Sequence, residues 1–253
     1  MATPRIRIRN EGNRIQFMNG GIQFQLVDKG VVYTTTEQKY RVGNTGPSTI
    51  LIPTPASYKT RVIAVRASFF VAKWGITDIT GNGDYRAMYS CSTNQANQPV
   101  EYWVFDLATN LAGSGVGLKL RDPDTGQVIY NSNYDSLRIA GIVGDGGGTF
   151  TAGRKYAAIL PAISGHNQTT DTLYRDGQAF LDDGQEYGYA TWSRQVDGKL
   201  YGVKWENETC SFGEVSFDDV IGQTPGYAQQ PDPPTVWWDN PLGNVIIADV
   251  TAL

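Results

Sequence analysis

The sequence holds a single histidine, His166, and two cysteines, Cys91 and Cys210, in 253 residues. One imidazole, in the stretch "ISGHNQTTD" read as a loop, gives no support to triad chemistry, and neither a G-x-S-x-G elbow nor a cysteine with a local partner pattern accompanies it. The cysteines fit no C-x-x-C or Cys/His spacing, so no zinc site is indicated and both are expected as reduced, buried thiols. Lysine and arginine never run beyond two residues, and the formal net charge is −4 with a pI near 5.0. The counterion release that drives nucleic-acid binding therefore lacks a source, and no nucleic-acid partner is expected. No stretch approaches 18 apolar residues, and "MATPRIRIRN" has neither an apolar h-region nor a small-residue cleavage site. Neither membrane insertion nor a cleavable secretion signal is expected. Helical periodicity over ten residues is also missing; "NYDSLRI" could hold one turn at most.

What the chain has instead is 29 Gly, 14 Tyr, 9 Phe and 6 Trp, with many Thr and Val, the mixture that short strands joined by tight turns need. A period of two appears at once: Ile6 and Ile8 share one face of "RIRIR" and three arginines the other. After "NEGN", Ile15 and Phe17 resume the alternation, which predicts a hairpin over residues 5–17 with Asn10, Gly12 and Asn13 in its turn. "GLKLRDPDTGQVIYNS", 117–132, repeats that pattern with a longer loop, and "YGVKWEN", 201–207, opens a weaker third copy. A further strand is predicted at Ile22 to Leu26, and long β-rich segments at Arg61 to Trp74, Val100 to Leu107 and Arg154 to Leu160. The fold class is mainly β: one or two antiparallel β-sandwich domains built from repeated hairpins. A boundary near 115 gives an N-terminal β-rich domain, 1–114, and a second sandwich, 115–222. Residues 223–253 form a Pro-rich linker, "QTPGYAQQPDPP", and a C-terminal strand from Asn244 to Val250, which either adds to a neighbour's sheet or folds back on its own domain.

Four places invite a chemical reading. Asp122, Asp124 and Gly126 in "DPDTG" have the spacing that begins calcium loops, but the twelfth position from Asp122 is Asn133 where a bidentate Glu is needed. A turn accounts for all of it: Asp122 suits position i, Pro123 position i+1, and Gly126 the left-handed conformation. The acids Asp176, Asp182, Asp183 and Glu186 could supply a glycosidase pair, yet their D-G steps also read as solvated turns. "GDGGG", 144–148, lacks the G-K-[ST] ending of a phosphate loop. No catalytic residue, metal or cofactor is expected. Aromatic residues offer the remaining candidates. Trp74 and Trp103 sit in strand patterns and belong to a core. Trp237 and Trp238 are adjacent, and strict alternation points them to opposite faces, so one of them meets another chain or a ligand. With Val245, Ile247 and Val250 they are the expected partner-binding residues. Tyr187, Tyr189 and Trp192 in "EYGYATW" are candidates for stacking on a sugar.

The second hairpin and the strand after it carry a resemblance. Gly117, Leu118, Leu120, Asp122, Gly126, Val128, Tyr130, Asn131 and Ser132, followed by Leu137 to Ile139, resemble a phrase found in minor tail and tail-tip proteins of long-tailed bacteriophages. "RIRIRNEGNRIQF" and "LYGVKWEN" match it in part. The resemblance spans some 60 residues in pieces, and residues from Gln223 onward have no counterpart in it. It implies a structural virion component at the distal end of the tail, assembling with itself, as a trimer or in another threefold or sixfold arrangement, and with hub or fibre proteins. It implies no catalytic residues. The alternative reading is a module recognising host surface glycans, or a protein receptor, through Tyr187, Tyr189 and Trp192.

Overall fold

The structure, a computed structural model, describes residues 8–9, 15–17, 23–37, 48–54, 60–78, 85–111, 116–144, 146–160, 165–180, 186–226, 236–240 and 243–253. In chain order the strands are β1 (Ile8–Arg9), β2 (Ile15–Phe17), β3 (Phe24–Tyr33), β4 (Thr49–Pro53), β5 (Val62–Arg66), β6 (Val71–Asp78), β7 (Tyr85–Cys91), β8 (Pro99–Leu107) and β9 (Lys119–Arg121). They continue as β10 (Val128–Asn131), β11 (Ile139–Val143), β12 (Gly148–Thr149), β13 (Tyr156–Ile159), β14 (Gly165–Phe180), β15 (Glu186–Glu206), β16 (Thr209–Gly226), β17 (Val236–Asn240) and β18 (Val245–Asp249). One 3₁₀ turn, Ala108–Asn110, follows β8. The mainly β reading stands, and the pairings are antiparallel.

One sheet runs β11-β18-β13-β5-β8-β3; the other runs β12-β16-β15-β6-β7-β4, with β14 beside β15 and β17 beside β14. Alternation along each strand buries Ile63 and Val65 of β5, Val100, Tyr102 and Val104 of β8, and Val245 and Ile247 of β18 against Ile50 and Ile52 of β4, Tyr89 of β7 and Val203 and Trp205 of β15. Two inner faces meeting in this way make a sandwich core. Residues of opposite parity, Ala64, Trp103, Phe105, Ala157, Ile159 and Ala248, form a second cluster on the other face of the first sheet, joined by Phe24, Leu26 and Leu137.

That second cluster is enclosed because the sheet curls. Leu26 N–H donates to Asp135 O at 2.7 Å and Leu137 N–H to Phe24 O at 2.8 Å, so the stretch before β11 bonds to the free edge of β3. A few residues on, β11 itself pairs with β18 at the opposite edge. One continuous segment thereby joins the two edges. Gln25, fully buried, fastens the seam: its Nε2 donates to Asn131 O (2.7 Å) and Tyr134 O (3.0 Å), and its Oε1 accepts from Asn131 N (3.1 Å). Of "NYDSLRI", Asn133 and Tyr134 lie in a turn, where Tyr134 N–H donates to Asn131 O at 3.2 Å, and Asp135 to Leu137 run along β3.

Both sheets draw strands from either side of residue 115, and one core holds Ile50 beside Ile247. The expected division at 115 does not separate two sandwiches. Nor is the C-terminal strand an arm: β18 lies between β11 and β13 of its own sheet. The β-rich segment expected from Arg61 to Trp74 holds two strands, β5 and β6, which enter different sheets. The expected hairpins are present, β1 with β2 and β9 with β10. The third copy lies at the end of a much longer hairpin, with β15 and β16 joined through Asn207 and Glu208 and Asn207 at φ 52°.

Candidate assembly surface

The length of β15 shapes the surface. At 21 residues it extends over about 70 Å at ~3.3 Å per residue, well beyond an ordinary strand. Only Val203 pairs with Val71 of β6. On that same edge Leu200 to Glu186 pair instead with Gly165 to Phe180 of β14, while Glu206 to Ala190 pair on the other edge with Thr209 to Gly226 of β16. The sandwich is thus continued by a ribbon of β14, β15 and β16, with β17 against the base of β14 from Gly165 to Gln168.

The ribbon leaves long edges. β12 covers β16 at Thr209 and Cys210, and among the described residues no strand pairs with that edge beyond them. Likewise no described strand pairs with β14 beyond Gln168. Unpaired backbone N–H and C=O groups on such edges are a template for strand addition. A shorter edge, β11, carries two exposed isoleucines, Ile139 at 56% and Ile142 at 64%. They are three apart yet on one face because the register slips between Ile139 and Gly141, leaving Ala140 as the extra residue of a bulge.

The residues expected to contact partners separate. Val245, Ile247 and Val250 are fully or almost fully buried in the chain's own core, so they correct the sequence reading: their apolar period marks an inner strand. Trp237 falls where β17 slips against β14, since Asn167 pairs with Trp238 and Gln168 with Val236. Strict alternation, the premise for placing the two tryptophans on opposite faces, does not apply across a bulge. Tyr187 and Tyr189 hold positions of one parity on β15 and Trp192 a position of the other.

His166, expected in a loop, is within β14 opposite Lys199 and Asp239. Asp176 lies where the β14/β15 register slips and Glu186 opens β15 opposite Phe180; Asp182 and Asp183 lie outside the described residues. "DPDTG" is a turn. Asp122 Oδ1 accepts from the N–H groups of Asp124 and Thr125, both at 2.9 Å, Gly126 N–H donates to Asp122 O at 2.8 Å, and Gly126 has φ 71°. The two N–H donors hold the Asp122 carboxyl below its usual range. No group of three or more potential metal ligands occurs among the described residues. Cys91 and Cys210 are free and buried, and burial pushes both thiols up to about 12.

Sequence reasoning missed the contacts of Arg66. Its guanidinium sits 5.0 Å from the Trp205 ring centre and donates to Tyr156 O (2.7 Å) and Asn207 O (2.6 Å), while burial lowers its pKa. Phe150, Tyr156 and Trp205 form an aromatic group beside it. The signal was faint, because an isolated Arg at the end of a strand pattern says nothing about a partner 141 positions away. These groups bind the long hairpin to the sandwich. Among the described residues no helix is long and apolar enough to cross a membrane. No protein-family model, curated protein or solved structure matches the chain.

Proposed function

We propose that this protein is a structural component of a bacteriophage tail tip, one that assembles with copies of itself and with hub or fibre proteins. The observation that carries the reading is the ribbon: strands of 16, 21 and 18 residues, with long edges that no described strand covers, anchored in a doubly cored sandwich. Such a ribbon offers pairing groups for other chains. The tail-tip resemblance of Gly117 to Ser132 supports the same class, and that hairpin is sutured to the sheet through Gln25 and Asn131. Glycan recognition has weaker support, because Tyr187 and Tyr189 are separated from Trp192 by strand alternation.

The test is genetic. A nonsense mutation in the coding gene should yield particles with defective or missing tail tips, restored by the gene supplied in trans. Morphologically complete, infectious particles from the mutant would overturn the reading. Deleting residues 223–253 is a poor substitute, since it removes β18 from the middle of a sheet.

A further inference from the structure

We infer that the edge of β14 beyond Gln168, which no described strand covers, pairs with the same edge of a second copy, antiparallel and two-fold symmetric about Leu173. The argument rests on register and charge. From Thr169 to Arg175, β14 pairs residue for residue with Val196 to Ala190 of β15, so this stretch is regular and its far edge is straight. β17 stops opposite Gln168, and Pro233 and Pro234, just before it in sequence, have no N–H with which to lengthen a ladder.

An antiparallel pairing centred on Leu173 sets Asp171 across from Arg175 and Thr172 across from Tyr174, each pair formed twice by symmetry. Opposite charges and aromatic/β-branched pairs directly across a ladder are the favourable combinations. Moving the centre to Thr172 sets Asp171 against Leu173 and Arg175 against Thr169; moving it to Tyr174 sets Asp171 against Gly177. Only the Leu173 centre pairs the charges. The other ribbon edges that no described strand covers lack this property: β16 from Ser211 to Gly226 has Glu214, Asp218 and Asp219 and no Lys or Arg, and β17 has only Asp239. Self-pairing of either would place acids among acids. A second copy on β14 joins the two ribbons into one sheet through an isologous contact. This deepens the proposed assembly role by naming the partner and the edge, and it gives a two-fold contact where the tail-tip resemblance implied a trimer.

The full-length protein, 27.7 kDa, should show twice that mass by light scattering or sedimentation at tens of micromolar. Asp171→Arg or Arg175→Asp alone should raise the dissociation constant by about tenfold or more. An equimolar mixture of the two variants should recover the dimer, because each chain then meets its complement, and the double exchange D171R/R175D should recover it too. Leu173→Cys, directly across from its own counterpart, should oxidise to a covalent dimer, while Thr169→Cys should not. A wild-type monomer, or a dimer indifferent to the single exchanges, or failure of the mixture to recover, overturns the pairing. Those solution outcomes are separate from the tail-tip reading, which is judged on particles.

Discussion

At the scale of residues, the most consequential side chain is Gln25, a fully buried amide whose oxygen and nitrogen are both occupied by the backbone of Asn131 and Tyr134. Replacing it by Ala leaves buried backbone groups without partners, at about 1–3 kcal/mol. Gln25→Ala should therefore lower the urea midpoint at unchanged slope, which equilibrium denaturation measures directly. Asp249 gives a pH signature. Burial pushes its carboxyl up, but hydrogen bonds from Thr251 and from Arg154, the latter at 2.6 Å, outweigh that and leave it below its ordinary value. A folded-state pKa below the unfolded one means the stabilisation is complete above about pH 4 and is lost as the pH falls through the folded value. Asp249→Asn should thus be less stable than wild type at pH 7, with the gap closing as the pH falls below 4.

At the scale of elements, edges and bulges decide what each strand can do. Ile139 and Ile142 sit on one face of β11 through the Ala140 bulge and are more than half exposed. The double variant Ile139→Lys/Ile142→Lys should change folding stability by less than about 1 kcal/mol, two surface substitutions, while raising the concentration at which the protein aggregates. Light scattering against concentration reads this. Much of the strand content was legible, because the apolar and aromatic runs at Val100 to Leu107 and Arg154 to Leu160, bounded by turn-forming residues, are local signals. The β9/β10 turn was legible for the same reason: Asp122, Pro123 and Gly126 carry their geometry with them. Bulges at Ala140 and Trp237 were not, since a register slip depends on the partner strand. The length of β14 was hidden by its polar residues, which read as a loop around His166.

At the scale of the whole molecule, the sequence reading erred where contact is long-range. For the Pro-rich stretch and residues 244–250 two readings stood, an arm to a neighbour or a return to its own domain, and the second holds: an apolar strand flanked by β11 and β13 gains more by burial in its own sheet than by waiting for a neighbour. A repeat of hairpins suggested two domains, whereas the sheets interleave strands from both halves. Residues 1–114 expressed alone should accordingly be unfolded by circular dichroism and proteolysis, and the full chain should show no independent transition for either half. The candidate surface was legible only as a class. Assembly through a strand edge was expected at residues 244–250, whereas the long edges that no described strand covers lie on β14 and β16.

The central claim, a structural role at the distal end of a phage tail, is tested most directly by immunogold labelling of purified particles of the virus that encodes the chain, with antibodies raised against the folded protein. The account predicts label at the tip of the tail opposite the capsid. Particles that carry no label, or carry it only on the capsid, would contradict it.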